Sequence, residues 1–261
     1  MRKLLIALAL LVPVSATAES ALPFMKDMAG DRDLPRPWGI GFDFFTMDQD
    51  YRINELEFIL PGVSLPDVSK VQVTNEVQHF DIKADVWLLP FLNVFGVLGH
   101  VKSDTVVDLR DTPIIGLPPG FPGLGQLPID TDGTVWGLGA TLAFGGDRWF
   151  GSLTGTWTDA DLSGDFDSSA ETITLQPRVG MIWNQWVGWV GGMYLDIEES
   201  HAGVIDIPGI GQLPFSAVLG QRTNWNTALG AQHHFSDKAS LSLEVGFGDR
   251  KHTLFNFNYR F

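Results

Sequence analysis

The last nine residues of the chain alternate between aromatic side chains and mainly polar ones. The aromatic positions are Phe255, Phe257, Tyr259 and Phe261. Successive side chains of a β-strand point to opposite faces, so these four rings share one face of an extended segment. Such a strand fits a boundary between an apolar medium on one side and a polar interior on the other.

The same period of two recurs from Trp38 to the end of the chain. Phe80, Ile82 and Ala84, for example, alternate with Asp81 and Lys83. Beyond the first 18 residues, no apolar run approaches the roughly 18 residues that a membrane helix needs. Long and short connections alternate between about ten such segments, an even number that returns both ends to one side. The sequence therefore predicts an all-β fold, an antiparallel up-and-down transmembrane β-barrel of about ten strands over residues 38–261.

The N-terminus has the three parts of a secretory signal. Arg2 and Lys3 precede an apolar run over residues 4–14, and the small residues Ala16 and Ala18 follow. This order predicts a signal peptide over residues 1–18, cleaved on export. Residues 19–37 are polar and contain prolines, which predicts a short periplasmic lead-in before the first strand.

Composition narrows the function classes. The formal net charge is −14, which disfavours nucleic acid as a partner. The chain has no cysteine, which excludes disulfides and thiolate metal sites. Tryptophans fall near both ends of the predicted strands, with Trp87 among those at the periplasmic ends, as expected for two interfacial belts.

The terminal strand resembles the C-terminal signal of bacterial outer-membrane β-barrel proteins, which ends on phenylalanine with aromatic residues at the third, fifth and seventh places from the end. The resemblance is to this class and not to a specific family. It implies location in the outer membrane of a Gram-negative bacterium and recognition of Phe255, Phe257, Tyr259 and Phe261 by the barrel-assembly machinery. Outer-membrane lipid and lipopolysaccharide would surround the barrel.

In each predicted strand, the positions opposite the apolar face are expected to face the lumen, which predicts the charged residues that line it. Charges inside a barrel suit either a water-filled channel or a network of ion pairs that fills the interior. The predicted lumen-facing charges are Asp43, Asp81, Lys83, Asp85, His100, Lys102, Asp104, Arg178, Asp196, Glu198, Glu244 and Arg260.

The three long predicted outer loops, residues 48–70, 109–130 and 200–217, contain apolar and proline-bearing sequence. Residues 60–66 read LPGVSLP, and residues 123–128 and 209–214 share the pattern Gly-[Leu/Ile]-Gly-Gln-Leu-Pro. Exposed apolar patches often mark interaction surfaces. The alternative is that the loops pack on one another as a lid over the barrel mouth.

One acidic segment spaces its oxygen ligands like the first part of an EF-hand loop. Its residues are Asp159, Asp161, Ser163, Asp165 and Asp167. The closing glutamate of such a loop would fall at Ala170, so a solvated acidic turn competes with a calcium site. No other cofactor is expected.

These observations favour a small channel or uptake barrel for small solutes, with the apolar loops over the mouth. The alternative is a non-conducting structural or surface-binding barrel, similar to an adhesin. The residue constellations of an outer-membrane protease or a lipid A-modifying enzyme do not fall on matched strands, so an enzyme is not expected.

Overall fold

The computed structural model describes residues 22–30, 34–59, 67–110, 115–116, 125–207 and 211–261. The predicted signal peptide and the apolar segment 60–66 lie outside these residues. Within these described residues, two short 3-10 turns, Lys26–Ala29 and Val68–Lys70, accompany eleven strands. The strands are β1 Trp38–Phe58, β2 Gln72–Leu89, β3 Leu92–Asp108, β4 Gln126–Gly145, β5 Trp149–Gly164, β6 Asp167–Trp183, β7 Trp186–Ile207, β8 Gly211–Gln221, β9 Trp225–His234, β10 Ala239–Phe247 and β11 Lys251–Arg260.

Ten of these strands close into a ring. Each pairs antiparallel with its neighbours in the order β1 to β7, then β9, β10 and β11. The terminal strand β11 completes the ring by pairing with β1, from Gly39 opposite Arg260 to Asp48 opposite Lys251. Closure satisfies the backbone hydrogen bonds without leaving an edge, which is what a lipid environment requires. The predicted antiparallel barrel is confirmed, and we call this part the membrane ring.

The eleventh strand, β8, lies above the short strands β9 to β11. It pairs with the upper part of β7, Glu198 opposite Gly220, and with the upper part of β1, Tyr51 opposite Gln221. Above the membrane ring, the wall therefore consists of eight strands, β1 to β8. We call this part the upper barrel.

Much of the sequence that was predicted to form outer loops belongs to the strands of the upper barrel. Segments 48–70, 109–130 and 200–217 were expected to be loops. Instead, β1 continues to Phe58, β4 begins at Gln126, and β7 and β8 form a hairpin with ends at Ile207 and Gly211. The shared Gly-Gln-Leu-Pro pattern therefore marks the start of β4 and of β8, in its described portion.

The outer face of the membrane ring is apolar between two aromatic belts. Side chains exposed near the lower ends include Trp38, Trp149, Trp183, Trp186 and Phe261, and those near the upper ends include Phe44, Phe80, Trp136, Trp225 and Phe247. Trp136 and Trp157 pack edge to face, with ring centroids 5.0 Å apart. Trp87, predicted for the lower belt, faces the interior instead. Two such belts are characteristic of a transmembrane barrel.

Short turns join the strands at the lower end. Only two residues separate β2 from β3, and only two separate β6 from β7. Short turns lie on the periplasmic side in barrels of this kind, so the upper barrel projects outward. Among the described residues, no helix has the length and apolar character to cross a bilayer.

The polarity of the two faces reverses above the membrane ring. On β2, exposed Gln72, Thr74 and Glu76 alternate with buried Val73, Asn75 and Val77. Other strands of the upper barrel also contribute apolar side chains to two interior clusters, which include Met47, Val77, Val101, Val135, Leu162, Leu195, Tyr51, Val107, Ile129 and Leu219. An eight-stranded barrel is just narrow enough for side chains to fill. The upper barrel thus has a packed apolar core.

Candidate functional site

The interior of the membrane ring contains most of the charges predicted for the lumen. The residues that the structure places there are Asp43, Asp81, Lys83, Asp85, Arg178, Glu244 and Arg260. They lie on β1, β2, β6, β10 and β11, on the face opposite the exposed apolar side chains of those strands. Most are paired, as partly buried charges must be.

Glu244 is the centre of one interior cluster. Its side chain is almost fully buried and accepts two hydrogen bonds from the Arg178 guanidinium, at 2.7 and 3.1 Å. The indole Nε1 of Trp189 donates a third, at 2.6 Å, and His252 Nε2 lies 3.6 Å away. Donors from β6 and β7 thus converge on one carboxylate of β10, with the imidazole of His252 on β11 beside it, and the cluster connects these strands along the lumen wall.

A second cluster lies near the periplasmic end. Asp85 is buried, contacts the Arg260 guanidinium and accepts a 2.6 Å hydrogen bond from Asn93 Nδ2. One level higher, Asp43 pairs with Lys83 at 3.6 Å and contacts Asn256. The charged residues of β1, β2 and β11 therefore form a connected polar wall.

The opposite wall, on β4 to β6, carries hydroxyl groups. Thr141 and Thr154 share a 2.9 Å hydrogen bond between their Oγ1 atoms. The inward residues Thr156, Thr158 and Thr174 are partly exposed, although they face away from lipid. Solvent therefore has access to the lumen of the membrane ring.

Five of the predicted lumen charges lie on the outer face instead. His100, Lys102 and Asp104 sit opposite the outward residues Phe80, Gln78 and Glu76 of β2, and Asp196 and Glu198 lie on the outward phase of β7. The prediction was wrong because Phe95 and Val97 of β3 face inward, and because the polar face turns outward above the membrane. Lys102 pairs there with Asp104 at 3.0 Å.

The calcium hypothesis depended on a loop that does not form. Asp159, Asp161 and Ser163 occupy alternate outward positions of β5, and β6 begins again at Asp167 after a turn that contains Asp165. Alternate residues of a strand are about 6.6 Å apart, so their oxygens run in a line and do not converge. Within the described part of the chain, no group of three or more acidic or histidine side chains is arranged to hold a metal ion.

A buried polar cluster in the upper barrel was missed from sequence. His201 Nδ1 lies 2.7 Å from Ser168 Oγ, and His201 Nε2 lies 3.1 Å from a carboxylate oxygen of Glu199. Burial, and then the Glu199 carboxylate, raise the pKa of Tyr51 well above its ordinary value. All four side chains are buried, so the cluster belongs to the core of the upper barrel and has no open approach for a substrate.

The predicted assembly residues lie on the lipid face of β11. Phe257 is opposite Phe42 and Phe255 opposite Phe44 on β1, while Tyr259 and Phe261 are exposed at the lower belt. Their polar neighbours on the strand face the lumen. The terminal strand therefore has the two-faced character that its sequence predicts.

Gly230 tests how closely the Glu244 cluster is packed. The indole of Trp189 lies against this glycine, so that a Cβ added there would be 2.2 Å from ring atoms. We expect Gly230→Ala to displace Trp189 from Glu244 and to lower the free energy of unfolding by about 1–3 kcal/mol. Gly96→Ala is the control, because its nearest neighbour would be at 3.7 Å. Urea unfolding followed by tryptophan fluorescence measures both; equal stability of the two variants would contradict this packing.

No protein-family model matches the chain, and no curated protein matches it. Many solved structures are similar, and three of them are outer-membrane proteins with the following values. Outer membrane protein OprG from Pseudomonas aeruginosa is 13% identical, with 88% of this chain and 100% of that chain covered and a TM-score of 0.47. The transport unit of the autotransporter AIDA-I from Escherichia coli is 8% identical, with coverages of 89% and 92% and a TM-score of 0.43. The Pseudomonas putida toluene transporter TodX is 10% identical, with coverages of 86% and 88% and a TM-score of 0.34.

All three TM-scores are below 0.5, so these similarities do not indicate what the barrel does. The class follows from the molecule itself: a closed antiparallel wall, an apolar band between two aromatic belts, and a polar lumen. The chain is an outer-membrane β-barrel protein.

Proposed function

We propose that the protein is a non-conducting outer-membrane barrel whose upper barrel closes the axial path and presents a binding surface outside the membrane. The observation that supports this most directly is the packing of the upper interior. Tyr51, Val71, Val73, Leu213 and Leu219 are each no more than 2% exposed. A hydrated solute that moved along the axis would have to displace these side chains and lose its own hydration.

The outer wall of the upper barrel supports a role in surface binding. Its outward positions include the exposed residues Asp48, Asp50, Asp130, Asp132 and Asp161. Such a wall is solvated and not lipid-facing, because charged groups are costly in contact with hydrocarbon. A partner with basic groups would complement it.

A gated channel is the second candidate, and one observation favours it. The lumen of the membrane ring is lined by charges and threonines that solvent reaches from below. In this case, the apolar core of the upper barrel would be a gate that must be displaced before small solutes pass.

Conductance in planar bilayers separates the two candidates. We expect the refolded, heat-modifiable wild-type protein to be silent, and the double variant Leu213→Gly/Leu219→Gly to give steps because it removes two core side chains of β8. The matched control is Ser216→Gly/Val218→Gly, which changes outward positions of the same strand. Reproducible steps from the wild type would overturn the non-conducting proposal and establish the channel.

A further inference from the structure

We propose that a cleft in the barrel wall binds a zwitterionic phosphate group, with the phosphate on two arginines and an ammonium on two aspartates. The cleft lies where the wall changes from ten strands to eight. There, β8 ends at Gln221, β9 begins at Trp225, and the β10–β11 turn stops beneath them. Its volume is about 270 Å³, and its lining residues are Gln49, Asp50, Arg222, Thr223, Asp249 and Arg250.

The four charged residues of the cleft are not paired with one another. Within the described part of the chain, ion pairs within 4.0 Å join many other charged groups, but none includes Asp50, Asp249, Arg222 or Arg250. Asp249 only accepts a 3.0 Å hydrogen bond from the Thr223 hydroxyl. Two cations and two anions therefore share one cavity while each retains capacity for a ligand.

Backbone carbonyls fix the two guanidinium groups in place. Arg250 is 2% exposed and donates to the carbonyls of Thr223, Met193 and Asn224, while its Nε has no acceptor. Burial lowers the pKa of Arg250 to about 10, so that it remains a cation at neutral pH. Arg222, which is exposed, donates to the carbonyls of Tyr51 and Val71. Neutral carbonyls leave the positive charge uncompensated, and charge-assisted hydrogen bonds to an oxyanion are the strong way to satisfy it.

The combination of charges selects the class of ligand. A simple phosphate would be repelled by Asp50 and Asp249, and a simple amine by the arginines. A phosphate ester that carries an ammonium group satisfies both pairs. The cleft also lies next to the upper aromatic belt, since the exposed Trp225 follows Thr223 by two positions and the exposed Phe247 precedes Asp249 by two. Aromatic belts lie at the level of lipid headgroups, which have this chemistry.

Calorimetry of the whole protein in a phosphate-free, non-ionic detergent tests the site with phosphoethanolamine, inorganic phosphate and ethanolamine as probes. We expect phosphoethanolamine to bind at least tenfold more tightly than either fragment. Arg222→Gln and Asp249→Asn, both at exposed positions, should each weaken it about tenfold. Arg148→Gln, at a periplasmic turn, is the control and should change nothing. Inorganic phosphate that binds as well as phosphoethanolamine, or binding unchanged in both variants, would overturn the proposal.

The source of the ligand is resolved by the same titration with a short-chain phosphatidylethanolamine. Tighter binding of the lipid than of the free headgroup supports a membrane lipid as the ligand. Equal affinity supports a soluble zwitterion. Absence of binding by all of these probes would show that no such site exists.

Discussion

Replacing Val107 with aspartate is expected to unfold the upper barrel. Val107 is buried in the interior cluster around Tyr51, Ile129 and Leu219. A carboxylate at this position would have no partner among apolar side chains, and an unpaired buried charge costs several kcal/mol. We therefore expect a loss of about 3–5 kcal/mol, measured by urea unfolding, and rapid proteolysis of the upper strands.

The neighbouring residue provides the control. Val106 precedes Val107 on β3 but lies on the outward face, opposite Thr74 and Pro128. Val106→Asp places the same charge in solvent and should change stability by less than about 1 kcal/mol. If Val106→Asp were the damaging substitution, the assignment of inner and outer faces in the upper barrel would be reversed.

Removing Arg178 is expected to cause the largest loss of stability within the membrane ring. Arg178→Met leaves the buried Glu244 carboxylate without its cationic partner, which we expect to cost about 3–5 kcal/mol. The double variant Arg178→Met/Glu244→Gln removes both charges and should recover a large part of this loss, because no uncompensated ion remains. Urea unfolding of the four proteins in the cycle gives the coupling between the two residues.

An exposed ion pair supplies the comparison for this cycle. Arg36 and Asp237 pair at 2.8 Å near the periplasmic end, with side chains 43% and 67% exposed. Water screens such a pair, so Arg36→Met should cost less than about 1 kcal/mol. Similar losses at Arg36 and Arg178 would show that burial does not determine the effect.

The membrane ring was predictable from sequence because lipid imposes a simple rule. A strand between hydrocarbon and a polar lumen must alternate with period two, as residues 80–88 do, and the wall must close. The closed ring of antiparallel strands and the outward face of the aromatic residues of β11 follow from that rule. The position of Asp43, Lys83 or Arg178 on the inner face is a consequence of the same alternation.

The upper barrel was not predicted because the apolar face of each strand turns from outward to inward where the wall leaves the lipid. Between residues 71 and 88, apolar residues occupy even positions from Phe80 to Leu88 but odd positions at Val71, Val73 and Val77. If the whole segment is compared with a single lipid-facing phase, residues 71–79 look irregular, so they fall outside the predicted strand. The shift from even to odd positions is the signal that was available. The pairing of β8 with both β7 and β1 had no local signal, because it depends on strands far apart in the sequence.

The wall has ten strands in the membrane and eight above it, so it closes at two separate places, and β1 takes part in both. One joins β1 to β8 and completes the upper barrel with residues no later than Gln221; the other joins β1 to β11 and completes the membrane ring. All strands of the upper barrel thus precede those that finish the ring. The outward-projecting part therefore has its full set of backbone partners without the last three strands, whereas the membrane ring depends on β9, β10 and β11 for its closure.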